Sequence, residues 1–170
     1  MRIYPILLAS TVLGASLTGC GGSSSSSTDD SDDHERPGAE LVGTWESNCY
    51  TNRNGSNDNI TRFVIDAETI AQTIDIYASN NGTCSGETGA LSLLYRYDVG
   101  DSLITDSGVT AREIDIEFLE ERVGRFVGPD VSYSIYHIDG SGMLYFSHAE
   151  SESPENRPSS LNFDTRYSRQ

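Results

Sequence analysis

The chain predicts an all-β fold, an antiparallel up-and-down meander of about eight strands closed, or nearly closed, into a barrel. Three observations carry this expectation. From Leu41 onward apolar and polar residues alternate, the period of a strand with one face turned inward. Clusters of Asn, Gly, Asp and Ser break that alternation at intervals of roughly ten to fifteen residues. No stretch of helix length shows a 3.6-residue apolar period.

Taken in order, the first strand is "LVGTWESNCY" (41–50), which runs into the Asn/Gly loop "TNRNGSNDN". "ITRFVID" (60–66) and "ETIAQTIDIYAS" (68–79) follow, the latter placing Ile70, Ile74 and Ile76 on one face with Gln72. After the turn cluster "NNGTCSGETG", "ALSLLYRYDV" (90–99) aligns Leu91, Leu93, Tyr95, Tyr97 and Val99. "VTAREIDIEFLEE" (109–121) alternates most strictly, with Ile114, Ile116 and Phe118 opposed by Glu113, Asp115 and Glu117. "DVSYSIYHI" (130–138) and "MLYFSHA" (143–149) flank "DGSG", a hairpin turn whose residues tolerate positive φ. "LNFDTRYSR" (161–169) closes the chain. An open sheet of eight strands exposes two unpaired edges, and joining the first strand to the last removes both. That argument favours a barrel over the alternative, a β-sandwich.

Charge narrows the partners. The 170 residues carry a formal charge of −15, and all eleven basic residues are arginine. Such a surface excludes nucleic acid and disfavours adsorption to anionic headgroups. It suits solubility in salty surroundings, where screening shortens repulsion.

Residues 1–19 have one early cation, Arg2, an apolar core "IYPILLASTVLGASL" and a small-residue exit, the layout of a secretory signal peptide. The apolar run is short for a permanent membrane span. Its exit, "LTGC", resembles the lipobox of bacterial lipoproteins. The resemblance implies that Cys20 is acylated and becomes the first mature residue, and several acyl chains give stable anchoring. Gly21 stands where that family carries an aspartate for inner-membrane retention, which implies the outer membrane. Residues 20–40 then read as a disordered Ser/Asp tether with a root-mean-square reach of about 25 Å. His34 lies within it, and the folded domain is expected over 41–170.

Export also bears on the other two cysteines. Cys49 ends the first strand and Cys84 lies in the turn after the third, so an up-and-down meander puts both at one end of the barrel. An oxidising compartment then predicts a Cys49–Cys84 disulfide rather than a metal site.

"VGTWES" is similar to the Gly-x-Trp opening of lipocalins and lipocalin-like bacterial barrels. The resemblance implies that Trp45, preceded by Gly43, plugs the closed end under an arginine from the last strand, either Arg166 or Arg169. The longer pattern "GTWESNC" also resembles a family of small acidic lipoproteins with a Gly-Thr-Trp-x-Ser-x-Cys opening.

Motifs for catalysis are lacking. There is no Gly-x-Ser-x-Gly. His137 and His148 stand on neighbouring strands with no carboxylate to orient them, and Glu113, Asp115 and Glu117 mark a solvent face. The loop "NRNGSNDN" lacks the closing glutamate of a calcium loop. No cofactor is expected, and no enzyme. Gln72 and Arg112 fall on the apolar faces near strand ends, and His137 shares a face with Val131, Tyr133 and Ile135, so these three are the candidate ligand contacts. Two roles stay open: a barrel that binds a small apolar or amphipathic ligand, or a filled barrel that offers its surface to an envelope partner or adhesion target.

Overall fold

The structure is a computed structural model that describes residues 36–79, 82–121 and 131–170. The signal segment, Cys20, His34 and the tether through residue 35 lie outside the described residues.

Nine strands follow one another: β1 (Gly43–Ser47), β2 (Tyr50–Thr51), β3 (Asn57–Ile65), β4 (Thr69–Ala78), β5 (Glu87–Ile104), β6 (Thr110–Glu121), β7 (Val131–Ile138), β8 (Leu144–Phe146) and β9 (Tyr167–Arg169). Each pairs antiparallel with the next, except that β1 skips to β3, and β9 returns to β1. The result is a closed eight-stranded up-and-down barrel, with β2 as an extra strand on the flank of β3. No α-helix occurs among the described residues.

The alternation sets what points inward. Trp45, Phe63, Ile65, Ile70, Tyr97, Ile114, Tyr136, Leu144 and Tyr167 form one continuous core with Leu41. The polar counterparts Glu113, Asp115 and Glu117 stand outside, where Arg157 and Arg96 pair with them. In the β7–β8 hairpin, Asp139 accepts hydrogen bonds from the Ser141 hydroxyl and the Met143 and Ser141 amides. These bonds hold its carboxyl at about 2, below the usual carboxylate range.

Several boundaries differ from those the sequence predicts: β3 begins at Asn57, inside the expected loop, and β5 runs from Glu87 to Ile104, past both ends of the expected 90–99. The first strand breaks at Asn48, whose side-chain amide donates to the carbonyls of Cys49 and Asp164. The last two strands shrink to three residues each, because the chain between Phe146 and Tyr167 leaves the sheet and straps the outer face. Arg157 anchors that strap. Its guanidinium donates to the carbonyls of Ile114 and Ser134 and to Asp115, and lies 5.3 Å from the Tyr133 ring centre. Leu161 then covers Ala111 and Ile135 in a small second core outside the barrel. Finally, the fold begins before residue 41. A 3₁₀ turn, Ala39–Leu41, packs on one end of the barrel, where Gly38 at φ 88° passes so near Val99 that a Cβ would sit 2.7 Å from its methyl. A side chain fits there on neither count.

This first end is sealed by its own carbonyls. Arg169 donates to the carbonyls of Val42 (2.7 Å) and Glu40 (2.6 Å), and its guanidinium lies 4.4 Å from the Trp45 ring centre. Trp45 is 1% exposed and donates its indole N–H to the Leu41 carbonyl at 2.7 Å. Gly43 makes room, since a Cβ there would meet the Arg169 guanidinium at 2.8 Å. Of the two arginines the sequence offers as the partner of Trp45, Arg166 is not the one. It stands three residues earlier, exposed, and is held through its backbone: its N–H donates to the Asn48 side-chain oxygen and its carbonyl accepts from the Asn48 N–H. In urea unfolding, Arg169→Ala should therefore lose about 2–3 kcal/mol, the scale of a charge-assisted hydrogen bond plus a cation–π contact. Arg166→Ala should lose less than about 0.5 kcal/mol, as an exposed substitution does.

Candidate functional site

The two ends of the barrel are built differently. The end under Trp45 is filled, and Glu40 completes it from above. The Tyr136 hydroxyl donates to the Glu40 carboxylate at 2.5 Å, and Arg112 approaches the same oxygen at 3.5 Å. Burial first, then the carboxylate, pushes the Tyr136 hydroxyl well above the ordinary tyrosine range. It stays a donor at any physiological pH.

Beyond the layer of Phe63 and Tyr167 the described residues do not fill the interior. A hollow of about 160 Å³ is walled by Phe63, Ile70, Tyr95, Ile116, Phe146 and Tyr167. Gln72, Ser134, Ser147 and Glu150 supply its polar edge. The alternation explains the walls: Ile70, Gln72, Tyr95 and Ile116 are inward positions of consecutive strands. Phe63, Phe146 and Tyr167 pack ring to ring with centres 5.1–5.7 Å apart, and so make one aromatic wall. Tyr95 stands in the lining beside Gln72 and donates its hydroxyl to the Gln72 side-chain oxygen at 3.0 Å. Gln72 keeps its amide nitrogen without a partner among the described residues. Ser134 and Ser147 bond to one another at 2.7 Å, and Ser147 donates onward to the Ala149 carbonyl.

Outside this hollow, at the same end, lies a polar groove of about 440 Å³ lined by Asn48, Tyr50, Arg53, His148, Asn162 and Asp164 among others. A smaller space of about 160 Å³ stands between the two, sharing Phe146, Ser147 and Tyr167 with the hollow and Tyr50, Asn162 and Thr165 with the groove. The Cys49–Cys84 disulfide lies at this rim, with sulfurs 2.07 Å apart and a sequence separation of 35 residues. It fastens the β4–β5 turn to the segment between β1 and β2. Below it Asp58, fully buried, accepts hydrogen bonds from Thr51 and from the Gly82 amide.

The three candidate ligand contacts do not converge. Gln72 lines the hollow. Arg112 points inward but at the sealed end, donating to the Gly100 carbonyl and facing Glu40. His137 points outward, which corrects the inward face assumed for it with Ile135. That face is buried by the strap, not by the barrel, so its apolar residues gave a false inward signal. His137 bonds the Thr110 carbonyl through Nδ1 and stacks on Tyr145. It meets Arg112 only in a rim groove beside Glu40 and Tyr136. His148 lies at the other end, in the polar groove. No group of residues able to hold a metal ion occurs among the described residues.

Two contributors escape a sequence reading. Glu40 sits in what reads as tether, and only Leu41 behind it marks a packed turn. Ser134 interrupts an apolar face and reads as a solvent position. Comparison of the chain with protein-family models, curated proteins and solved structures finds no match. Reducing the disulfide should lower unfolding stability by roughly 3–4 kcal/mol on the chain-entropy account of a 35-residue separation. Calorimetry with and without reductant at equal pH measures it.

Proposed function

We propose that this chain is a lipoprotein of the cell envelope, tethered through acylated Cys20 to the outer membrane, whose barrel is a binding module for one small ligand. The observation that carries the reading is the hollow at the disulfide end, where aromatic and aliphatic walls meet the polar groups of Gln72, Ser134, Ser147 and Glu150. That combination is the usual chemistry of a ligand site. Its size sets the occupant. A dry cavity of about 150 Å³ accepts a benzene-sized molecule, so the ligand's buried part is about one ring or one compact branched group. The polar groove outside suits a hydrophilic remainder. The role is binding, not catalysis, and the acidic surface keeps the module clear of nucleic acid.

One observation favours a second reading, a filled barrel that acts through its surface in an envelope complex or in adhesion. At about 160 Å³ the hollow is smaller than the 300–1,000 Å³ typical of ligand pockets. Native mass spectrometry of the whole chain, extracted from the envelope without denaturation, separates the two. The binding reading expects a reproducible adduct of low mass that disappears on unfolding. A clean mass of the unliganded chain in every preparation contradicts it and favours the surface reading.

A further inference from the structure

We infer that the ligand of the hollow is a small quaternary ammonium compound, its methylated cationic head against the aromatic wall. The inference rests on the binding-module reading and adds the chemical class. Phe63, Tyr95, Phe146 and Tyr167 supply four aromatic rings around about 160 Å³, space for a group of roughly six or seven non-hydrogen atoms. Ring faces carry negative potential, and recognition of quaternary ammonium groups by aromatic cages uses that potential.

Charge excludes the alternatives one at a time. No arginine or histidine stands among the described residues lining the hollow, and the carboxylate among them is Glu150, exposed at its edge. Among these residues an anion would meet apolar rings and a carboxylate at the edge, with no cation of theirs to repay its desolvation. A primary ammonium would bring three N–H donors. Of the inward acceptors among the described lining residues, the Gln72 oxygen already receives the Tyr95 hydroxyl and the Ser134 and Ser147 hydroxyls bond to one another, which leaves too few free positions for three donors. A quaternary head has no N–H to satisfy and loses little hydration. The Gln72 amide nitrogen, unpartnered among the described residues, remains to donate to a hydroxyl or carbonyl on the same ligand. At −15 overall, the chain's field also concentrates cations at its surface.

Isothermal titration of the whole chain with choline, and with 3,3-dimethylbutan-1-ol, tests this. The two share shape and hydroxyl and differ only in the charged nitrogen. Choline should bind about tenfold more tightly than the neutral alcohol, the scale of a desolvated cation–π site. Glu150→Gln, an exposed and conservative change, should weaken choline about threefold at low salt and leave the alcohol unchanged. Gln72→Leu should weaken both ligands, because both present the hydroxyl.

Equal affinities for the two would overturn the cation assignment while leaving a ligand-binding barrel in place. Binding of neither, with a different small molecule retained in native mass spectrometry, would also overturn it and leave that reading standing. Binding of neither, with a clean unliganded mass, would overturn both.

Discussion

The barrel depends on Arg169. Its guanidinium lies over Trp45 and donates to the carbonyls of Glu40 and Val42, which no strand pairing serves. These contacts fall on the weakest seam of the sheet. β8 and β9 are three residues long, joined by the single register pair Leu144–Tyr167, and β9 meets β1 over three pairs. Backbone pairing that brief does little to close a barrel. One side chain ties the last strand to the first and to the turn before it, and two carbonyls that would otherwise be left unpaired gain charged donors. Gly43 is the matching concession, since only a residue without Cβ clears the guanidinium.

From that seal the rest of the interior follows. Trp45, Leu41, Tyr136 and Ile114 fill the sealed end completely, each no more than 1% exposed. Filling one end fixes the register of every inward side chain. Towards the other end the strands carry the polar residues Gln72 and Ser134, Ser147 follows directly after β8, and a hollow remains among the described residues there. The strap from Ser147 to Arg166 contributes from outside. Arg157, with a side chain 10% exposed, satisfies two strand carbonyls and two carboxylates, and so binds the strap to β6 and β7. The disulfide then holds the rim at the hollow's end. The Arg169 seal and the candidate site thus lie at opposite poles of one sheet, with the disulfide fastening the candidate site's rim.

Much of this was legible in the sequence for physical reasons. Alternation in "REIDIEFLEE" identifies β6 and its inward face because a strand's period admits no other register. Cys49 and Cys84 fall at one pole because an up-and-down meander returns every second turn to the same end. Less legible were features made by tertiary cover. Ile135 reads as barrel interior, yet Leu161 and Ala111 bury it from outside, and His137 is carried outward with it. Choosing Arg169 over Arg166 needed the pairing of Trp45 with Arg169, a register that spacing alone does not reveal. Glu40 was lost in a polar tail, because one buried leucine is too short a pattern to mark the start of a fold.

Amide hydrogen exchange along β9 and β1 tests the sealed barrel most directly. If Arg169 closes the ring, the amides of Tyr167–Arg169 and of Trp45–Ser47 should exchange as slowly as those of β3 and β6, despite the brevity of the last strand. Rapid exchange over Tyr167–Arg169, with β3 and β6 still protected, would mean that the sheet is open between its first and last strands. The seal from which the hollow's position is derived would then be absent.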